Sequence, residues 1–152
     1  MKTSVDPNGF IQIGIIVKDI EKAAKAWSDI FGVPMPEIRV QEPGPNPNVT
    51  YRGKSAMYGR KLAAIKIASR GFTVELIQPF GGESSFQEYL DKHGQGVHHL
   101  GFAVGDKRDT IVGEFEDSGF GIRTIGLSPD NSWTFIDSEE TLGVNLNIKL
   151  KG

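Results

Sequence analysis

One stretch of this chain is used twice, and the repeat sets the architecture. Ile11-Gln12-Ile13-Gly14-Ile15-Ile16-Val17-Lys18-Asp19 aligns with His98-His99-Leu100-Gly101-Phe102-Ala103-Val104-Gly105-Asp106 at an offset of 87 residues. Gly14 falls on Gly101, Val17 on Val104 and Asp19 on Asp106, and the same offset carries Gly32 onto Gly119. Each copy reads as an apolar strand, an Asp that caps a helix, about three helical turns and a Gly stop. A unit of this size cannot bury both faces of its own sheet, so two copies are expected to pair their sheets and curve around a shared cleft.

The elements between these landmarks follow from periodicity. After Asp19, the residues Ile20, Ala23, Ala24, Trp27, Ile30 and Phe31 hold the spacing of one buried helical face. After Asp106, Ile111, Val112 and Phe115 repeat it around an internal Gly113. Three strands follow each helix, over residues 37–40, 62–68 and 72–79 in the first half and 122–126, 132–137 and 144–150 in the second. The segment 41–60, with Pro43, Pro45, Pro47, Asn46 and Asn48, breaks the order and reads as a long loop, functional or disordered. A short helix capped by Ser84 or Ser85, with Phe86, Tyr89 and Leu90 on its apolar face, joins the halves and ends at His93-Gly94. The expectation is one α+β domain over residues 1–152. Two βαβββ units, 10–80 and 97–150, are joined by a linker helix at 83–94, with paired curved mixed sheets enclosing a cleft.

Composition narrows the chemistry. The 152 residues contain no cysteine, which excludes thiol nucleophiles, cysteine–zinc sites and disulfides. A formal net charge of −2 gives no electrostatic reason for nucleic acid or an anionic membrane as partner. The amino terminus has no apolar core of signal-peptide length, and no apolar run approaches the roughly 20 residues of a membrane span. A cytoplasmic protein acting on a small molecule is therefore expected.

Strand period 2 turns Gln12 and His99 inward, and several other residues invite both a functional and a bland reading. Gln12 and His99 occupy equivalent inward positions of the two copies. His99 is either a metal ligand or general base, or a core histidine satisfied by hydrogen bonds. His98 is expected on the opposite face in a structural role. His93, ending a helix, also reads as structural. Glu75, between Val74 and Leu76-Ile77, is a carboxylate in an apolar strand that needs a partner, a proton or a metal if it faces the cleft, and is otherwise an edge-strand carboxylate. Asn147 and Gln12 suit hydrogen bonding to a substrate carbonyl, or plain polar filling of a sheet face, and Asn145 shares the face of Asn147. Arg52, Lys54 and Arg60 fall in the Pro-rich segment and at its end, as anchors for an anionic tail or as a solvated loop.

The repeat, the linker Glu83-Ser84-Ser85-Phe86-Gln87-Glu88-Tyr89-Leu90-Asp91-Lys92-His93-Gly94 and the strand Gly96-Val97-His98-His99-Leu100-Gly101-Phe102 resemble the vicinal-oxygen-chelate superfamily, and within it the methylmalonyl-CoA epimerase group, over residues 10–149. The resemblance implies four convergent ligands for a divalent metal. Two precede a small residue on the first strands (Gln12 and His99), one lies four residues after Gly143 (Asn147), and one precedes the proline ending the first unit's last strand (Glu75). The epimerase pattern at these positions is His, Gln, His and Glu. With two amides here, the implied metal is weakly bound or absent. The group's general base lies on the third strand, where this chain has Ala64, with Lys66 on the same strand face. The implied activity is an epimerase- or racemase-like isomerase that removes an acidic proton next to a carbonyl. Its substrate would be a CoA thioester or a cyclic ketone such as an isoflavanone, with Glu75, His99 and Lys66 as the ionisable candidates. The alternative is a non-catalytic binding protein of the antibiotic-sequestering kind. A dioxygenase fits less well, since iron(II) sites present two His and a carboxylate. A homodimer is expected.

Overall fold

The computed structural model describes residues 1–68, 71–129 and 131–151. Strand β1 (Phe10–Ile16) buries Gln12, Gly14 and Ile16 on one face, while Ile15 on the other packs under the following helix. That helix, α1 (Ile20–Phe31), is capped as the sequence dictates. The Asp19 side chain accepts from the Lys22 amide, and Gly32 closes the last turn at φ 64°, a conformation a side chain would resist. Its Ile20 and Ala24 join Val17, Ala63, Ile65, Val74 and Leu76 in a core on the convex side of the sheet.

The first unit continues with β2 (Arg39–Gln41), β5 (Gly59–Lys66) and β6 (Thr73–Phe80). Between β2 and β5 the chain forms a hairpin, β3 (Val49–Tyr51) with β4 (Lys54–Ser55), where a long loop, functional or disordered, is the sequence expectation. Helix α2 (Ser85–His93), capped by the Ser84 side chain on the Gln87 amide, leads to the second unit. There follow β7 (Gly96–Ala103), α3 (Arg108–Asp117), β8 (Ile122–Ser128), β9 (Asn131–Ile136), a short α4 (Glu139–Leu142) and β10 (Asn145–Lys149). The second copy departs from the first at its helix start. Asp106 caps nothing: it lies in a 3-10 turn, Gly105–Lys107, and α3 begins at Arg108 with no side-chain cap. The shared Asp fits both strand ends, but only the first leads directly into a helix.

The ten strands form one sheet in the order β2-β5-β6-β1-β7-β10-β9-β8-β3-β4. The two units meet at the antiparallel pair β1–β7. In each, the first strand pairs parallel with the last (β1 with β6, β7 with β10) and the remaining strands follow outward. The sheets therefore pair within this one chain. The hairpin binds to β8 although it is inserted between strands at the other end of the sheet, so it spans the opening of the curve.

The concave side is partly core. Ile16, Val49, Tyr58, Leu62, Ile77, Trp133 and Phe135 pack there around Phe86, which α2 inserts fully buried. Burial on this scale is worth about 2–3 kcal/mol per large apolar side chain, so this part of the cleft is filled by the fold itself. Among the described residues no helix is long and apolar enough to cross a membrane.

Candidate functional site

Beside this apolar filling, β6, β1, β7 and β10 present a polar row on the same concave face: Glu75, Gln12, His99 and Asn147. The structure brings the first three into contact. The Gln12 Nε2 donates to Glu75 Oε2 at 3.3 Å, and Gln12 Oε1 lies 3.0 Å from His99 Nε2. His99 Nε2 is 4.0 Å from the nearer Glu75 oxygen. Asn147 is turned away from this group, its Oδ1 accepting from the Thr134 backbone N–H at 3.0 Å on β9.

The expectation that His98 faces away from His99 is overturned. β1 and β7 change register here: Gly14 sits opposite His99, but the next residue, Ile15, sits opposite Val97. His98 is thus the extra residue of a β-bulge, which breaks the strict alternation of faces. His98 and His99 point the same way, with their Nδ1 atoms 2.9 Å apart and their rings at 90°. Gly14 makes room for this. A Cβ there would come within 2.1 Å of the His99 ring, so only glycine leaves the imidazole its place.

The four side chains form a directed chain of hydrogen bonds. A carboxylate only accepts, so Gln12 must offer Glu75 its NH₂ and turn its oxygen to His99. His99 then carries its proton on Nε2 and accepts at Nδ1 from the Nδ1–H of His98. His98 Nε2, the remaining nitrogen, has no hydrogen-bond partner among the described residues. Both imidazoles are completely buried. Burial, and then the charge of Arg123, pushes the His98 pKa down to about 3. Burial, with His98, Lys149 and Arg60 nearby, holds that of His99 well below the usual histidine range. Both rings are therefore neutral at pH 7, and His99 is a poor base with its one proton already committed. Glu75 is the member with a route to solvent, its side chain 15% exposed.

Lys66 lies on the same face of β5 as Ala64, which pairs with Glu75, and is exposed. It is a diagonal neighbour of Glu75 across the strand pair, within reach of a long side chain. Two buried cations also border the site: Lys149, which the sequence reading passed over, and Arg60, which it placed at the end of a loop. Lys149 is 3% exposed and its Nζ donates to Asn131 Oδ1 and the Ser132 carbonyl. Burial lowers its pKa, against the attraction of Glu75. Arg60 belongs to β5 rather than to a loop. It is 4% exposed, with its guanidinium 4.0 Å over the Trp133 ring and its Nε bonded to Gln41. Strand parity carries the signal for both: Lys149 is two residues from Asn147, and Arg60 is two from Leu62. Of the other basic residues in that segment, Lys54 is exposed, and Arg52 pairs with Glu88 at 2.5 Å, clamping the hairpin to α2. His93 lies 3.3 Å from Glu139, a position in keeping with a structural role.

The profile of the glyoxalase/bleomycin resistance protein/dioxygenase superfamily matches residues 11–134. The chain belongs to that superfamily. Solved structures of like fold include methylmalonyl-CoA epimerase from Mycobacterium tuberculosis, at 19% identity over 98% of this chain and 91% of that one, with a TM-score of 0.65. A hypothetical protein from Bacillus halodurans aligns at 18% identity over 92% and 91%, TM-score 0.62. A Streptomyces coelicolor methylmalonyl-CoA epimerase variant in complex with 2-nitronate-propionyl-CoA aligns at 20% identity over 96% and 94%, TM-score 0.56. Among curated protein sequences, none matches this chain.

Superfamily members built around a divalent metal need convergent, unoccupied donors, and the residues here do not fit one. Among the described residues no three His, Asp or Glu side chains group as a metal site. The Asn147 oxygen is engaged by a backbone amide, and the Gln12 oxygen faces the His99 proton. Arg60 and Lys149 add two buried positive charges that act on His99 and would repel a cation.

Proposed function

We propose that this superfamily member is an isomerase of the epimerase or racemase kind, acting on a small molecule with an acidic hydrogen next to a carbonyl, with Glu75 as the base. The observation that carries this reading is the Glu75–Gln12–His99–His98 chain, which leaves one partly exposed carboxylate held in a fixed orientation on the concave face. Glu75 takes the α-proton, and the electron pair of the C–H bond moves into the carbonyl to give an enolate. Lys66 and the buried cations Lys149 and Arg60 supply the positive field that favours that oxyanion. Return of a proton to the opposite face of the α-carbon, from Lys66, completes inversion; Glu75 then gives its proton to solvent and Lys66 takes one back from it. His99 and Gln12 position the carboxylate and do not titrate. CoA thioesters are the first substrates to test, since epimerases of such compounds share the fold, and cyclic ketones are the second. A homodimer is part of this reading, supported by Ile30, Phe31 and Met35, exposed together near the end of α1.

A second reading has its own observation. The polar row is closed on itself by hydrogen bonds, as suits a binding protein that does no chemistry. Deuterium incorporation from heavy water into candidate carbonyl compounds separates the two. The enzyme exchanges the α-hydrogen, and Glu75→Gln, which keeps the shape and the bond to Gln12, slows exchange by roughly 10²–10⁴-fold. Tight binding without exchange, with affinity alone lowered by Glu75→Gln, establishes the binding protein instead.

A further inference from the structure

Arg60 has the features of a receptor without its ligand. It is buried to 4% exposure, an environment in which a guanidinium is normally paired with a carboxylate. Here it has none. Among the described residues its one hydrogen bond runs from Nε to Gln41 Oε1 at 2.8 Å, and no ion pair is made. Its plane is held by aromatic faces, 4.0 Å from the centre of Trp133 and 5.4 Å from that of Phe86. Trp133 is itself fixed. Its Nε1 donates to the Tyr58 hydroxyl at 3.2 Å, and its ring lies so close over Gly126 that a Cβ there would stand 1.8 Å from it. The guanidinium lines a cavity of about 210 Å³ whose wall also includes Arg39, Gln41, Asn46, Asn131 and Trp133. Asn131 is the residue that holds the Lys149 ammonium. The wall offers donors from Arg39, Asn46 and Asn131, and among the described residues it contains no acidic side chain. Of the acids, Glu75 acts on Arg60 only at a distance, its partner Ala64 lying four residues further along β5.

We infer that this cavity is an oxyanion-binding site, in which the Nη groups of Arg60 take a carboxylate or phosphate of the ligand in a forked pair of hydrogen bonds and Lys149 adds its charge from behind. A planar guanidinium held flat by an aromatic ring is pre-organised for two parallel N–H···O bonds, where a lysine would give only a point charge. Resting on the reading of Glu75 as base, the inference also names the substrate class: an acid, whose anionic group sits at Arg60 while its carbonyl-bearing carbon lies toward Glu75. The fixed cations take over the electrostatic work that a metal does elsewhere in the superfamily.

Trp133 reports on the site directly. In a Trp27→Phe background it is the sole tryptophan. With chelator present and ionic strength held by chloride, sodium malonate and inorganic phosphate are each titrated to on the order of 10 mM. A saturable change in Trp133 emission with either is expected: malonate alone identifies a carboxylate site, phosphate alone a phosphate site, and both the shared oxyanion chemistry. Arg60→Lys, which keeps the charge, is expected to weaken binding roughly tenfold or more through loss of the fork. Arg60→Met should abolish it, with circular dichroism and the thermal midpoint showing that each variant is folded. No saturable change in the parent, equal affinity in folded Arg60→Lys and Arg60→Met, or binding that appears only when a divalent metal is added would overturn the inference. Isotope exchange distinguishes the two proposals. Malonate binding without any exchange removes the base role of Glu75 and leaves this site standing. Exchange on an uncharged ketone that malonate does not inhibit, in protein that shows no saturable anion binding, does the reverse.

Discussion

At the scale of single residues, His99 and Glu75 are neighbours with opposite properties. Glu75 keeps a path to solvent, and its charge is what the proposed chemistry uses. His99 is sealed, neutral and packed on Phe135 at a ring distance of 4.7 Å. Replacing it has a structural cost that replacing Glu75 by Gln does not. His99→Ala leaves the Gln12 oxygen and the His98 proton without partners, about 1–3 kcal/mol for each buried group, so urea unfolding should shift well below that of Glu75→Gln. Unchanged stability in His99→Ala would mean that the hydrogen-bond chain contributes nothing. The His pair also sets a pH dependence. The pKa of His98 is lower folded, about 3, than its unfolded value of 6.5, so acid protonates the unfolded chain first. Stability is then fully present above pH 6.5 and falls as pH drops from there toward 3, by up to about 1.4 kcal/mol per pH unit for each such histidine. Chemical denaturation at pH 7, 6 and 5 should show this slope, and His98→Phe should flatten it by about half. A profile flat from pH 7 to 5 would contradict the burial of both rings.

At the scale of elements, the β1–β7 seam decides the site. The bulge at His98 and the bare backbone of Gly14 are one device: the extra residue turns a second imidazole inward, and the glycine opposite leaves space for the first. Gly14→Ala tests it. The added methyl meets ring atoms pinned by Gln12 and His98, so the ring or the strand must move. Overpacking of this kind costs about 1–3 kcal/mol, a fall of several degrees in Tm for a chain of this size. Isotope exchange should fall with it, because Gln12 loses the partner that orients Glu75. The symmetry-related Gly101 offers a comparison. A Cβ there meets Gln12 Cβ and Oε1 at 2.9 Å, a longer contact than the 2.1 Å at Gly14. A smaller loss for Gly101→Ala is expected, and equal losses would point to the strand backbone rather than the imidazole as the cause. The hairpin β3–β4 is the other element that matters. By pairing with β8 it carries the first unit's insertion across the opening, and the Arg52–Glu88 pair ties it to α2.

At the scale of the whole molecule, charge placement separates this chain from a metal-dependent relative. A metal bound at 100 times its Kd stabilises a protein by about 2.7 kcal/mol, a readily seen rise in Tm. Zinc(II) or manganese(II) added in excess to chelator-treated protein should give no such rise, because Arg60 and Lys149 already fill the concave face with positive charge. A saturable increase would show that the amides of Gln12 and Asn147 rearrange to bind.

Much of this was legible without coordinates. The 87-residue repeat fixed two equivalent strands, the Asp19 cap and Gly32 stop followed from local chemistry, period 2 turned Gln12 and His99 to one face, and the superfamily resemblance pointed to Glu75 and Asn147 beside them. These are properties of neighbouring residues and of regular backbone, which a sequence states directly. What the tertiary structure alone decided depends on partners distant in sequence. The face of His98 followed from a register shift against β1, which alternation cannot foresee. The loop at 41–60 became a hairpin because β8 offered it an edge, and α3 began past Asp106 because the chain took a 3-10 turn there first. Asn147 lost its place as a ligand to a backbone amide of β9. Arg60 and Lys149, ordinary surface residues by type, were buried by the closing of two sheets around them, and burial changes the energy of a charge far more than its identity does.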